Sequence, residues 1–239
     1  VDRRPTRPPH SAALPSHAPH EARDGGIVQQ TPRSVSRRGV AVLALVLGLL
    51  ASACTTGSSP KEGEFTGTRL ETPYEPADIA LTDTTGEDYS LVADTDKPLT
   101  LVFFGYTKCP DFCPLVMNNI AAAMNRLDDA DSSAVDMVFV TTDPTTDTTG
   151  VLRTYLDRYN DSFIGLTGDL STIIEVGEPL HIYVNDGVKL PSGGYDLGGH
   201  STFTLAINAD DEAVALWNQE TSSTDFAADI HTLLTEDQD

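Results

Sequence analysis

Cysteine, methionine, tryptophan and basic residues are all scarce in this 239-residue chain, which has three, three, one and 15 of them against 36 aspartates and glutamates. Each shortage excludes something. From Cys54 onward 8 lysines and arginines face 33 acids, a net charge of −25, which argues against nucleic acid and anionic lipid surfaces as partners of this region. The methionines, Met117, Met124 and Met137, all sit at apolar positions, which argues against a methionine-type copper carrier. No apolar run reaches the roughly 20 residues that a membrane-spanning helix needs. A nucleotide-binding glycine loop, a hydrolase elbow and zinc-ligand spacing are also missing.

What is present begins with an unusual first third. Residues 1–36 are rich in Pro, Arg, His and Ser without apolar periodicity, and read as a disordered leader, with the translation start expected downstream at Val28 or Val35. Arg37 and Arg38 then precede thirteen residues of almost wholly apolar sequence, 39–51, followed by Ser52, Ala53 and Cys54. A basic flank, a short apolar core and small residues predict a secretion signal over 37–53. The cysteine after small residues resembles the lipobox of a bacterial lipoprotein signal, with Ala51 where leucine is usual. That resemblance implies lipidation of Cys54 and a domain anchored on the extracytoplasmic side of the cell membrane. Residues 54–72 read as a flexible tether and 73–239 as the folded domain.

Within the domain, strand and helix periods alternate. Residues 79–81 and 89–91 flank a turn at 83–86, which predicts a hairpin. Segments 99–104, 135–140, 164–166 and 181–184 read as strands, and 203–207 with 213–217 as a second hairpin. Helical spacing covers 115–127, 148–159, 170–177 and 224–234. This order predicts an α/β fold with a central mixed sheet, helices on both faces and an N-terminal hairpin extension. The glycine-rich segment 185–199 reads as a mobile loop.

The two cysteines left after Cys54 stand four positions apart in residues 105–114, Gly-Tyr-Thr-Lys-Cys-Pro-Asp-Phe-Cys-Pro, directly after a predicted strand. A single pair in an exported domain is a structural disulfide or a working dithiol. The flanking prolines and the strand-to-helix junction favour the working pair. With a helix beginning inside this run, Cys109 and Cys113 share one face, and two soft thiolates point at one small ion. Cu(I) suits such a pair best, given one or two further ligands. A helix N-terminus beside Cys113 is expected to lower the thiol pKa values.

The order of elements, with a dithiol at that junction, resembles the thioredoxin fold. Four blocks are similar to the Sco family, also called SenC or PrrC: residues 104–114, residues 142–148 with Asp143 and Asp147, residues 164–168, and His200-Ser-Thr before a strand. The resemblance covers about residues 73–236. It implies a thioredoxin-like domain that binds copper through Cys109, Cys113 and His200, as Cu(I) with Cu(II) the alternative state, and that helps to assemble cytochrome c oxidase. The implied partners are oxidase subunit II or another copper enzyme, together with other copper chaperones. Two departures stand out. Gly199 replaces the usual acidic residue before the histidine, with Asp196 four places before His200, and Thr146 replaces a usual basic residue. Asp143 and Asp147 are expected to shape the loop beside the site.

Two functions stay open at this point. A metallochaperone hands copper by ligand exchange to the copper A site of subunit II. A thiol-disulfide oxidoreductase keeps the cysteines of that target reduced by cycling Cys109 and Cys113, or acts in redox sensing. A peroxidase is the weakest reading, because Pro110 and Tyr106 stand where a peroxiredoxin places threonine. His181 and His231 match no ligand position and read as structural or exposed; His10, His17 and His20 lie in the leader.

Overall fold

The computed structural model describes residues 64–184 and 201–236, with the backbone of two short strands between them. Cys54, the signal, the first part of the tether and His200 lie outside the described residues. In chain order the elements are β1 (Thr68–Tyr74), β2 (Leu81–Asp83), β3 (Asp88–Tyr89), β4 (Leu99–Gly105), α1 (Phe112–Met124), α2 (Asp129–Ser133) and β5 (Val135–Thr141). Then follow α3 (Thr149–Leu156), β6 (Ile164–Thr167), α4 (Leu170–Gly177), β7 (Val188–Lys189), β8 (Tyr195–Asp196), β9 (Thr204–Asn208), β10 (Ala213–Trp217) and α5 (Ser223–Glu236).

All seven residues of β4 are buried, as an apolar strand covered on both faces requires. It pairs in parallel with β5 and antiparallel with β9, and so lies at the centre of a mixed sheet of order β1-β10-β9-β4-β5-β6-β2-β3. Side-chain alternation along β4 feeds two cores. Leu101 and Phe103 pack with residues of α1, α3 and α5 on one face. Val102 and Phe104 pack with Ile173 and Val176 of α4 on the other. The expected α/β architecture with helices on both faces is present. The predicted hairpin is β2 and β3, joined by a turn in which Asp83 accepts N–H bonds from Thr85, Gly86 and Glu87.

Several boundaries differ from expectation. Strand β1 lies largely within residues 54–72, read as tether, so the domain begins earlier than residue 73. It is a polar edge strand defined by its pairing with β10, and its exposed side chains carry no apolar alternation to reveal it. Ahead of it, the buried Asp229 of α5 accepts bonds from the Thr66 N–H and hydroxyl, the Gly67 N–H and the Trp217 indole N–H, at 2.8–3.1 Å. Residues 181–184 form no strand. His181 has a positive φ of 55° and the Ile182 N–H returns to the Gly177 carbonyl, wrapping the segment around the end of α4. The buried Ile182 and Val184 fill the core without pairing into the sheet. Within the predicted loop 185–199, β7 and β8 pair antiparallel. The short helix α2, capped by the Asp128 side chain, has no apolar period and escapes sequence reading.

Candidate dithiol site

The site is built where β4 ends. The Gly105 carbonyl accepts the Thr142 N–H at 2.7 Å, which keeps the chain in line with the end of β5. Two residues on, Thr107 is clamped by Asp147: its N–H donates at 2.9 Å and its hydroxyl at 2.5 Å to the buried carboxylate, which also accepts the Thr141 hydroxyl at 2.8 Å. The chain then turns, with the Cys109 N–H bonded to the Tyr106 carbonyl at 3.2 Å. Helix α1 starts at Phe112, three residues before its predicted start, because proline is tolerated in a first helical turn.

That start corrects the expected placement of the pair. Only Cys113 is helical; Cys109 sits in the turn before it, so the two do not share a helix face. They are nevertheless brought together, with the Cys113 N–H directed at the Cys109 sulfur at 3.5 Å. Both thiols are free. The expectation of two acidified thiols holds for one of them. Burial opposes ionisation of half-buried Cys109, but the N–H groups of Cys113, Asp111 and Phe112 outweigh it and hold the pKa below the ordinary thiol value. Burial pushes the fully buried Cys113 well up, and the neighbouring Cys109 adds to the effect.

Packing fixes the sulfurs. A Cβ on Gly105 would come within 2.9 Å of both the Cys113 sulfur and a ring carbon of Phe103, so only glycine leaves room here. Tyr106 is pushed up to about 12, by burial first and then by the charge of Cys109 and a hydrogen bond with it. Tyr155 of α3, buried in the same core as Cys113, is pushed up chiefly by its own burial, with contributions from Tyr159, Cys113 and Cys109. Phe112 and Leu115 stay exposed beside the pair. Among the described residues no cluster of three His, Cys, Asp or Glu forms a metal-holding group. His200 is outside them; Ser201, its chain neighbour, exchanges hydrogen bonds with Tyr183 at 3.0 Å. His231 pairs with Asp131 at 2.6 Å, and His181 packs against Tyr74, in keeping with their expected structural or exposed roles.

Thr107, Tyr106 and Tyr155 received no role at the dithiol from the sequence, although Tyr155 lies within the predicted helix 148–159. Thr107 carried no signal, since its role depends on a carboxylate forty positions away.

A dithiol with one half-exposed and one buried sulfur, at the strand-to-helix junction of a sheet with helices on both faces, defines a thioredoxin-like protein. The family described as SCO1/SenC matches residues 69–235, well over half of the sequence, and the chain belongs to it. The SCO2-like protein RP587 of Rickettsia prowazekii is 30% identical over 182 residues, 71% of this chain and 79% of that one. The chain spans about half the length of the zebrafish SCO2 homolog and the fission yeast sco1 protein that it also matches, 47% and 54%. Among solved structures, apo Sco1 from Thermus thermophilus superposes with a TM-score of 0.64 at 28% identity, covering 71% of this chain and 97% of that one. ScoI from Bradyrhizobium japonicum, solved with copper bound, gives 0.59 at 28% identity, covering 66% and 99%.

Proposed function

We propose that this chain is an extracytoplasmic, lipid-anchored copper-binding protein that delivers copper to the copper A site of cytochrome c oxidase subunit II. The observation that carries this reading is the free, asymmetric dithiol at the β4–α1 junction of a SCO1/SenC chain. The donor chemistry fits. Two sulfurs outside any disulfide are soft ligands of the kind Cu(I) selects, and Cys109 is disposed to lose the proton that binding requires. Cys109, Cys113 and His200 are the proposed ligands, the imidazole tolerating either copper state. Copper is cargo here. Cys109, the accessible sulfur, is where a receiving ligand exchanges, and Cys113 is the retaining one. The anchor is Cys54, and other copper chaperones are the proposed donors.

The test is an anaerobic Cu(I) titration of the reduced full chain against a competing chelator, alongside His200→Ala and Cys113→Ser. One tightly held copper per chain, weakened by both substitutions, is the expected result. A second reading is favoured by the asymmetry of the thiols, since an accessible nucleophile with a buried partner also suits thiol-disulfide exchange. Copper binding that ignores His200, or no copper binding with a readily cycled disulfide, moves the assignment to an oxidoreductase.

A further inference from the structure

Cations are few in the folded domain, and most of the described ones are already engaged. Arg69 pairs with Glu236, Lys97 with Asp136 and Arg153 with Asp157, while Arg126 bonds the Ser223 hydroxyl. Among the described residues Lys108 and Arg158 have no ion pair, and both line one cleft of about 430 Å³. Lys108 immediately precedes Cys109, so the cleft borders the dithiol loop.

The start of α3 adds to the two cations of this cleft. Thr148, Gly150 and Val151 bring the first turn of α3 into its wall. Thr148 makes no side-chain cap, and the first intrahelical bond is from the Leu152 N–H to the Thr148 carbonyl, so the N–H groups ahead of it remain donors at the positive end of the helix. Tyr155 also lines the cleft and is only 5% exposed, with Tyr159 edge-on beside it.

Size and surroundings narrow the ligand. At about 30 Å³ per water the cleft holds the equivalent of more than ten waters, so an inorganic ion fills only a fraction of it. The exposed apolar side chain of Val151 is left for an organic body. The net charge of −25 from Cys54 onward repels an acidic polypeptide over most of the surface, and the two cations of this cleft are a local exception beside the dithiol loop.

We propose that the cleft receives an acidic side chain of the polypeptide that engages the dithiol, with Lys108 and Arg158 holding its carboxylate while that polypeptide's sulfur meets Cys109. The proposal rests on the reading of the dithiol as an exchange site and adds a recognition element that is not a copper ligand.

The probes are two short peptides, Glu-Glu-Gly-Cys and Gln-Gln-Gly-Cys, each as a mixed disulfide with thionitrobenzoate. The Cys109 thiolate of the reduced full chain attacks the peptide sulfur, a Cys109–peptide disulfide forms, and the thionitrobenzoate thiolate leaves with the electron pair of the broken bond, giving a yellow product. The acidic peptide is expected to react about tenfold faster than its glutamine analogue, and Lys108→Gln and Arg158→Gln each to reduce that ratio about threefold. Using the ratio cancels any change in the reactivity of Cys109 itself. High salt erodes the preference, and free citrate competes with the acidic peptide. No acidic preference, or one untouched by both substitutions, overturns the proposal, as does protection of Cys109 by citrate without any peptide preference. Both side chains are exposed, so the variants keep the fold, checked by their thermal melts. Their Cu(I) affinity is measured in parallel: retained copper binding without peptide preference sinks the docking site alone, whereas loss of copper binding by the parent chain sinks the function on which it rests.

Discussion

Replacing Asp147 with alanine deletes the acceptor of three hydrogen bonds, from the Thr107 N–H, the Thr107 hydroxyl and the Thr141 hydroxyl. The carboxylate is wholly buried, so water does not take its place without structural opening. Each buried donor left unmade costs about 1–3 kcal/mol. The two hydroxyls can rotate toward other acceptors, but the Thr107 N–H is fixed by the backbone, and the total comes to about 3–5 kcal/mol. Asparagine preserves the volume and one acceptor oxygen but turns an amide donor toward groups that are themselves donors, at about 2 kcal/mol. Urea unfolding of the full chain, followed by the fluorescence of buried Trp217, measures both. Because Thr107 stands two residues before Cys109, the same variants are expected to accelerate alkylation of Cys109 in the native state. A loss below about 1 kcal/mol for Asp147→Ala, with unchanged alkylation, refutes the claim that this carboxylate holds the dithiol loop.

Three other perturbations read other parts of the structure. Gly105→Ala drives a methyl against the Cys113 sulfur and Phe103, and is expected to cost about 1–3 kcal/mol in a thermal melt and to weaken Cu(I) binding; a variant with parental stability and affinity contradicts the packing argument. Since Cys109 is held below the ordinary thiol value and Cys113 well above it, Cys113 stays protonated across the range from pH 9 to 7 while Cys109 supplies the thiolate. Mass mapping after brief iodoacetamide treatment at pH 7 is therefore expected to find label on Cys109 and not on Cys113, and equal labelling of the native protein counts against it. At Asp83, burial opposes ionisation, but the Thr85 hydroxyl and the N–H groups of Glu87, Thr85 and Gly86 outweigh it and hold the carboxyl below its usual value. A lowered acid contributes its stability above the unfolded value, about 3.9, and loses it as pH falls through the folded one. The stability gap between the parent and Asp83→Asn is thus expected to be constant from pH 7 to 5 and to narrow as the pH falls below the unfolded value of about 3.9; a gap that does not narrow on acidification argues against this turn.

What could be read from the sequence followed the strength of the local signal. Strands β4 and β5 are apolar runs bounded by turns, and the dithiol block carries its own spacing, so both were legible. Strand β1 was not, because its polar residues interrupt any apolar alternation between Leu70 and Tyr74, and the edge is held by its ladder to β10 and, just ahead of it, by Asp229 on a distant helix. The segment around Ile182 was misread for the opposite reason: its alternation is real, but it serves core packing around the end of α4. The expectation for the thiols considered the helix N-terminus and omitted burial, which dominates at Cys113. The clamp of Asp147 on Thr107 and the sharing of one cleft by Lys108 and Arg158 depend on how β4, β5 and α3 come together, and no local pattern encodes that assembly.

The bonds that Asp229 makes to Thr66 and Gly67 have a mechanical meaning if Cys54 is held in a bilayer. Eleven residues lie between Cys54 and Thr66, a stretch that reaches at most about 40 Å. Tension along it arrives at Thr66 and passes through the carboxylate into α5 and the indole of Trp217, so the end of β1 is relieved of the strain and the sheet edge does not peel. With such an anchor the reach of the dithiol is bounded by the length of that stretch plus the radius of the domain, and a recipient has to present its metal-binding face within that bound.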